Sequence, residues 1–146
     1  MKRKLIGFIL MVVICLTGLL SDTSASSKSI KWYSHDEGIA VGYAEGKKIY
    51  INFRADWCGY CKKMEQETFR NSGVISYLNK HFIPIMVDTV KEKKIAIKYG
   101  VKALPDNLFL FKNGDPIGRR KGYIAPTMFM KILKSIQEEV GNKKKD

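Results

Sequence analysis

The chain has 146 residues, enough for one hydrophobic core and too few for two, and its 45% hydrophobic and 11% aromatic content is ordinary for a globular domain. Its charge is not ordinary: Lys+Arg 26 against Asp+Glu 14 gives +12. The basic residues are scattered apart from Lys143-Lys144-Lys145, with no aromatic-interleaved basic stripe and no nucleic-acid motif, which sets nucleic acid aside as a partner.

In chain order, Lys2, Arg3 and Lys4 precede an apolar run from Leu5 to Leu20, and the small and polar SDTSASS follows. With Thr23-Ser24-Ala25 as the cleavage site, residues 1–25 read as a secretory signal peptide. An uncleaved membrane anchor is the competing reading, although the run is shorter than the roughly 20 residues a span takes. Lipidation at Cys15 fits poorly, because Ile14 rather than a small residue stands before it.

Beyond this leader, helical and extended patterns alternate. Asp36 to Gly46 predicts a short helix with Ile39, Ala40 and Tyr43 on one face. Lys48 to Arg54 (KIYINFR) predicts a strand, and Cys58 opens a helix running to about Phe69. Val74, Ile75, Leu78 and Phe82 mark another helical face that leads into the strand HFIPIMVD. Lys91 to Tyr99 predicts a charged helix, and Asn107 to Lys112 a strand that Asn113-Gly114 turns back into Pro116–Arg120. Gly122 breaks that strand; Phe129, Ile132, Leu133, Ile136 and Val140 stripe a last amphipathic helix from about Pro126.

Three cysteines are present, and Cys15 leaves with the signal peptide, so the mature chain keeps only Cys58 and Cys61 in FRADWCGYCKK. A bridge between them closes a very short loop and adds little entropic stabilisation, so a staple is a poor reading. A structural zinc site needs four ligands, and His35 and His81 do not have the H-x₃₋₅-H spacing. Haem attachment requires His after the second Cys, where Lys62 stands. His35 reads as a surface residue of the N-terminal segment and His81 as a polar residue closing a helix. No metal or other cofactor is expected, and redox exchange remains.

The strand, the Cys-x-x-Cys at a helix start, the alternating elements, the Pro before a hairpin and the final helix together resemble the thioredoxin fold. The closer resemblance is to exported thioredoxin-like proteins, including the C-terminal domain of transmembrane thiol:disulfide interchange reductants. It rests on Ala55-Asp56-Trp57-Cys58-x-x-Cys61-Lys62, Glu67-Thr68-Phe69, Val87-Asp88, Tyr99-Gly100-Val101 before Pro105, and Gly122-Tyr123. It implies an α/β fold with a central mixed sheet flanked by helices in a single domain, over residues 36–140. Residues 26–35 are then an N-terminal extension and 141–146 a basic tail.

What the resemblance implies about chemistry agrees with the residue types. At a helix N-terminus, Cys58 faces unpaired N–H groups and the positive end of the dipole, which favour the attacking thiolate. Lys62, Lys63 and Arg54 add to this, and Asp56 opposes it. Cys61, on the same turn, resolves the mixed disulfide. Trp57 shields the sulfur pair or simply packs, Gly59 and Tyr60 sit between the cysteines, and Pro105 is expected to be cis and to lie beside them. Three positions depart from the pattern. Asn52 stands where many thioredoxins carry a buried Asp, which leaves Glu65 or water to handle the Cys61 proton. Gly59-Tyr60 is similar to the dipeptide of periplasmic disulfide isomerases. Asp106 follows Pro105 where relatives often have Thr.

The expectation is an exported, periplasmic thiol:disulfide oxidoreductase that reduces disulfides of other proteins and takes its electrons from a membrane thiol:disulfide interchange protein. Disulfide oxidase or isomerase is the alternative, and a thioredoxin-fold binding or chaperone module without redox turnover is the alternative of another class.

Overall fold

The computed structural model describes residues 28–142. The signal-peptide and anchor readings, Cys15 and Lys143–Lys145 lie outside the described residues. The elements run α1 (His35–Glu45), β1 (Lys48–Arg54), α2 (Gly59–Glu67), α3 (Ser72–His81), β2 (Phe82–Asp88), α4 (Lys93–Lys98), β3 (Asp106–Leu110), β4 (Pro116–Lys121) and α5 (Pro126–Asn142). The four strands form one mixed sheet in the order β2-β1-β3-β4, with β1 parallel to β2 and antiparallel to β3. The expected mixed sheet with flanking helices is what forms, and α5 continues two residues into the segment read as a tail.

Strand β1 lies between two neighbours and two helical layers, so the residues between Lys48 and Arg54 are buried whichever way they point. Ile49, Ile51 and Phe53 enter one core with Ile85, Val87 and Leu108, beneath α1 and α4. Tyr50 enters the other with Phe109, Leu78, Phe129 and Leu133, beneath α3 and α5. Each such side chain taken fully out of water contributes roughly 1.5–3 kcal/mol. The Phe129, Leu133, Ile136 stripe is buried as its spacing predicts, whereas Ile132 is only partly covered. Val140 is not among the residues whose side chains are described.

Two expectations are corrected on α1. Its buried positions are His35, Gly38 and Gly42; Tyr43 is 71% exposed and Ala40 is exposed too. The glycines explain this: a Cβ on Gly38 would lie 2.3 Å from Ile85 Cγ1, and one on Gly42 would lie 2.6 Å from Ile49 Cγ1. The helix therefore brings its backbone close to the sheet at Gly38 and Gly42, and of the three residues expected on the packing face only Ile39, with Val41 beside it, packs partly buried on that core. His35 is no surface residue. It is buried, with Nδ1 2.7 Å from Asp36 Oδ1 and Nε2 3.1 Å from the Tyr99 hydroxyl.

The segment before α1 belongs to both cores. Ile30 packs beneath α3 and α5, and Tyr33 packs against Ile85 on the opposite face. The Tyr33 amide donates to Pro84 O at 2.9 Å and Met86 N donates to Tyr33 O at 3.3 Å, so the segment covers the outer edge of β2.

Candidate active site

β1 delivers the chain to Arg54, and Ala55-Asp56-Trp57 turn it into α2. The turn is closed by the Cys58 amide donating to Ala55 O at 3.1 Å. Cys58 has extended backbone angles and caps α2: its Sγ accepts the Cys61 N–H at 3.2 Å, the place a Ser or Asp oxygen usually takes. The Lys62 amide donates to Cys58 O at 3.1 Å and begins the helical ladder. Cys58 and Cys61 are joined as a disulfide with their Cα atoms 5.2 Å apart. Both are buried against Ala55 and Leu104. Around them Gly59, Tyr60 and Lys62 are exposed, with Tyr60 at 66%.

Trp57 is also exposed, at 73%, and enters neither core. The packing role expected of it is not supported by that exposure. Its ring instead borders a groove that continues over Leu104 and Ile97.

The Leu104-Pro105 peptide bond is cis and Pro105 is buried, as the resemblance implies. Leu104 carries the loop onto the cysteine pair, while Pro105 O accepts the Gly122 amide at 2.7 Å. Two residues that follow anchor this loop. Asp106 is fully buried and takes Arg119 Nε at 2.9 and 3.0 Å on its two oxygens; another arm of Arg119 donates to Tyr99 O at 2.8 Å. Asn107, also fully buried, donates to Arg120 O and Gly122 O and accepts the Tyr50 hydroxyl at 2.7 Å. Asn52 completes this network by donating to Asn107 Oδ1 at 3.0 Å. Burial pushes the Tyr50 hydroxyl well above its ordinary titration range, so these polar groups are neutral.

The Arg119 and Asn107 anchors are absent from the expectations above. The register holds the signal for one of them, since Asn52 pairs directly with Asn107 across the ladder. Arg119, thirteen residues from Asp106 around a hairpin, has no comparable local mark.

The cations expected to help the thiolate are largely committed elsewhere. Arg54 Nε lies 2.6 Å from Glu65 Oε1, and its Nη1 lies 2.7 Å from Asp56 Oδ1 and 3.7 Å from Asp88 Oδ2. Its charge is thus surrounded by three carboxylates, and Glu65 is an ion-pair partner, not a free base for Cys61. Lys63 Nζ sits 4.7 Å over the Tyr123 ring, whose hydroxyl bonds Glu67. This ties α2 to the segment after β4. Neither Lys62 nor Lys63 has an ion-pair partner among the described residues, and Lys62 is exposed.

Residues 36–137 match the family model described as a thioredoxin-like domain. The chain belongs to the thioredoxin-like domain family. A thioredoxin from Thermus thermophilus shares the thioredoxin fold at a TM-score of 0.68 and 26% identity, over 74% of this chain and 87% of that one. A protein disulfide isomerase-like 5-2 of Oryza sativa subsp. japonica is 37% identical over 109 residues, 64% of this chain and 26% of its own length. The thiol:disulfide interchange protein DsbD of Vibrio cholerae is 31% identical over 101 residues, 65% of this chain and 17% of its own length. The chain therefore spans a minor part of both of these longer relatives. Thioredoxins and protein disulfide isomerases are thiol:disulfide oxidoreductases, and in this thioredoxin-like domain Cys58 and Cys61 form the corresponding Cys-x-x-Cys pair.

Proposed function

We propose that this protein is an exported thiol:disulfide oxidoreductase that reduces disulfides in other proteins. The observation that carries the reading is the cysteine pair at the start of α2, with Cys58 Sγ accepting the Cys61 amide beside the cis Pro105 loop. In the reduced protein the same amide and the helix N-terminus favour a Cys58 thiolate. That thiolate attacks one sulfur of a client disulfide, forming a mixed disulfide and releasing the other client sulfur as a thiolate. Cys61, deprotonated to water, attacks Cys58 Sγ, frees the second client thiol and closes the Cys58–Cys61 bond. Two electrons pass to the client in each cycle. A dithiol donor then restores the pair, and for an exported protein that donor is a membrane thiol:disulfide interchange protein.

Export rests on the leader pattern of residues 1–25 and makes the periplasm the working compartment. A second reading, isomerase or oxidase, draws support from Gly59-Tyr60 and from the rice relative. Equilibration of the mature domain with glutathione buffers decides between them. A potential near about −270 mV is expected for a reductase, and one between about −180 and −120 mV would assign it to isomerases or oxidants. Cys58→Ser must abolish exchange; exchange that survives it would point to a binding module with incidental cysteines.

A further inference from the structure

The groove beside the cysteine pair has a composition that selects among clients. It holds about 320 Å³, and its apolar floor is made by Trp57, Ile97, Val101 and Leu104. Trp57 and Ile97 are 73% and 69% exposed, so two large apolar side chains stand uncovered next to the disulfide. Leu104 joins groove to chemistry, because the same side chain packs on Cys58 and Cys61. Two of the lining residues are charged, Lys93 and Lys102; both are exposed, and no carboxylate lines the groove with them. Neither lysine has an ion pair among the described residues, in contrast to Lys47 and Lys91, which reach Glu45 and Asp88. The carboxylates nearest in sequence are occupied: Asp88 by Arg54 and Lys91, Glu92 by the Asp88 amide, and Asp106 by Arg119. A larger hollow of about 470 Å³ between β4 and α5 includes no residue of the cysteine turn.

We propose that the groove between Trp57 and Leu104 recognises client segments that pair an apolar side chain with a nearby Asp or Glu beside the reacting cysteine, Lys93 and Lys102 being the specificity-determining residues. This deepens the oxidoreductase reading and rests on it. The apolar anchor covers Trp57 and Ile97, and the client carboxylate meets two ammonium groups that have no ion pair among the described residues. Attraction between exposed charges is modest and screened by salt. An acidic client segment gains roughly two- to tenfold over its basic counterpart at low ionic strength, and the advantage shrinks as salt is added.

The test uses the reduced mature protein and two peptide disulfides identical except that Asp flanks the cysteine in one and Lys in the other. Single-turnover rates should favour the Asp peptide, and Lys93→Glu with Lys102→Glu should erase or invert that ratio. The pair Lys131→Glu and Lys134→Glu, an equal change of charge on α5, should leave the ratio as in the parent. Equal rates for the two peptides, or a preference that the α5 pair abolishes equally well, would overturn the proposal. Cysteine-free versions of both peptides, followed by tryptophan fluorescence, separate recognition from turnover. Selective binding of the acidic one without any exchange would sink the oxidoreductase reading and leave the groove assignment standing. Exchange with no difference in binding would do the reverse.

Discussion

Asn52 donates its amide to Asn107 Oδ1 at 3.0 Å, and the same oxygen takes the Tyr50 hydroxyl at 2.7 Å. Both asparagines are buried, so this neutral network between β1 and β3 lies where a carboxylate would need desolvation. A carboxylate introduced by Asn52→Asp loses the donor to Asn107 and faces an acceptor. Burial and that acceptor both favour the protonated acid and raise its pKa. The sign follows: with the folded pKa above the unfolded value of about 3.9, the cost is small below that pH and grows as pH rises toward the folded pKa. Urea denaturation of Asn52→Asp against the parent should show a wider gap at pH 8 than at pH 4. An equal gap at both would mean that solvent reaches the site.

Asp106 depends on Arg119 in a different way. The carboxylate is fully buried and takes both of its bonds from one nitrogen, while the guanidinium also holds Tyr99 O just before the cis Pro105 loop. Arg119→Ala leaves an uncompensated buried charge and should cost about 3 kcal/mol, somewhat less than a fully enclosed pair because Arg119 is 30% exposed. Arg119→Lys restores a charge without the planar fork and should recover only part of the loss. Chemical denaturation gives the stability, and exchange with a small disulfide reports whether the loop has moved. Full recovery by lysine would show that charge alone matters there.

Much of this architecture was legible because the chemistry is local. Cys58 and Cys61 are marked by their spacing and Pro105 by the resemblance to the thioredoxin fold, and the helix and strand edges fall within a few residues of the apolar patterns. His35 was misread because its partner Tyr99 lies 64 residues away, and α1 for another reason. Gly38 and Gly42 bury a helix by removing side chains, a mode of packing that hydrophobic periodicity does not register. The packing role read for Trp57 fails because an aromatic beside a motif invites burial, whereas 73% of it remains open. Arg54, at the end of a strand, could not be seen to gather Asp56, Glu65 and Asp88, since those partners converge only after β1, α2 and β2 are assembled.

The glycine packing makes its own prediction. Alanine in a helix interior is worth about 1 kcal/mol over glycine, so Gly38→Ala on an unobstructed helix would stabilise. Here the new methyl would meet Ile85 Cγ1 at 2.3 Å, Cδ1 at 2.5 Å and Tyr33 Cβ at 3.2 Å. Ile85 is fully buried and has little room to give. Overpacking of this kind costs about 1–3 kcal/mol and should outweigh the propensity gain. Gly38→Ala should therefore lower the urea midpoint; a raised midpoint would mean that α1 shifts off the sheet freely.

His81 should make folding stability depend on pH near neutrality. It closes α3, its carbonyl accepts Gln137 Nε2 from α5 at 3.0 Å, and its ring lies 4.4 Å from that of Tyr77. Burial lowers its pKa, and the positive charges of Lys80, Lys47 and Lys48 lower it further. The unfolded chain then binds the proton more readily than the folded one. Stability is fully present above the unfolded pKa of about 6.5 and is lost as pH falls through the lower folded value. Replacing the ring by His81→Gln should flatten the pH dependence of the denaturation midpoint between about pH 5 and 7 relative to the parent. The part-buried carbonyl contact to Gln137 is made by the backbone and survives the substitution, so a changed slope would report the imidazole itself. An unchanged slope would place the acid sensitivity in the carboxylates instead, Asp88 first among them. Burial raises the Asp88 pKa, but the Lys91 and Val90 amides outweigh that, aided by the Lys91 and Arg54 charges, and hold the group below its usual range. Its stabilisation is lost only at lower pH, as the carboxylate is protonated, so the two sources separate along the pH axis.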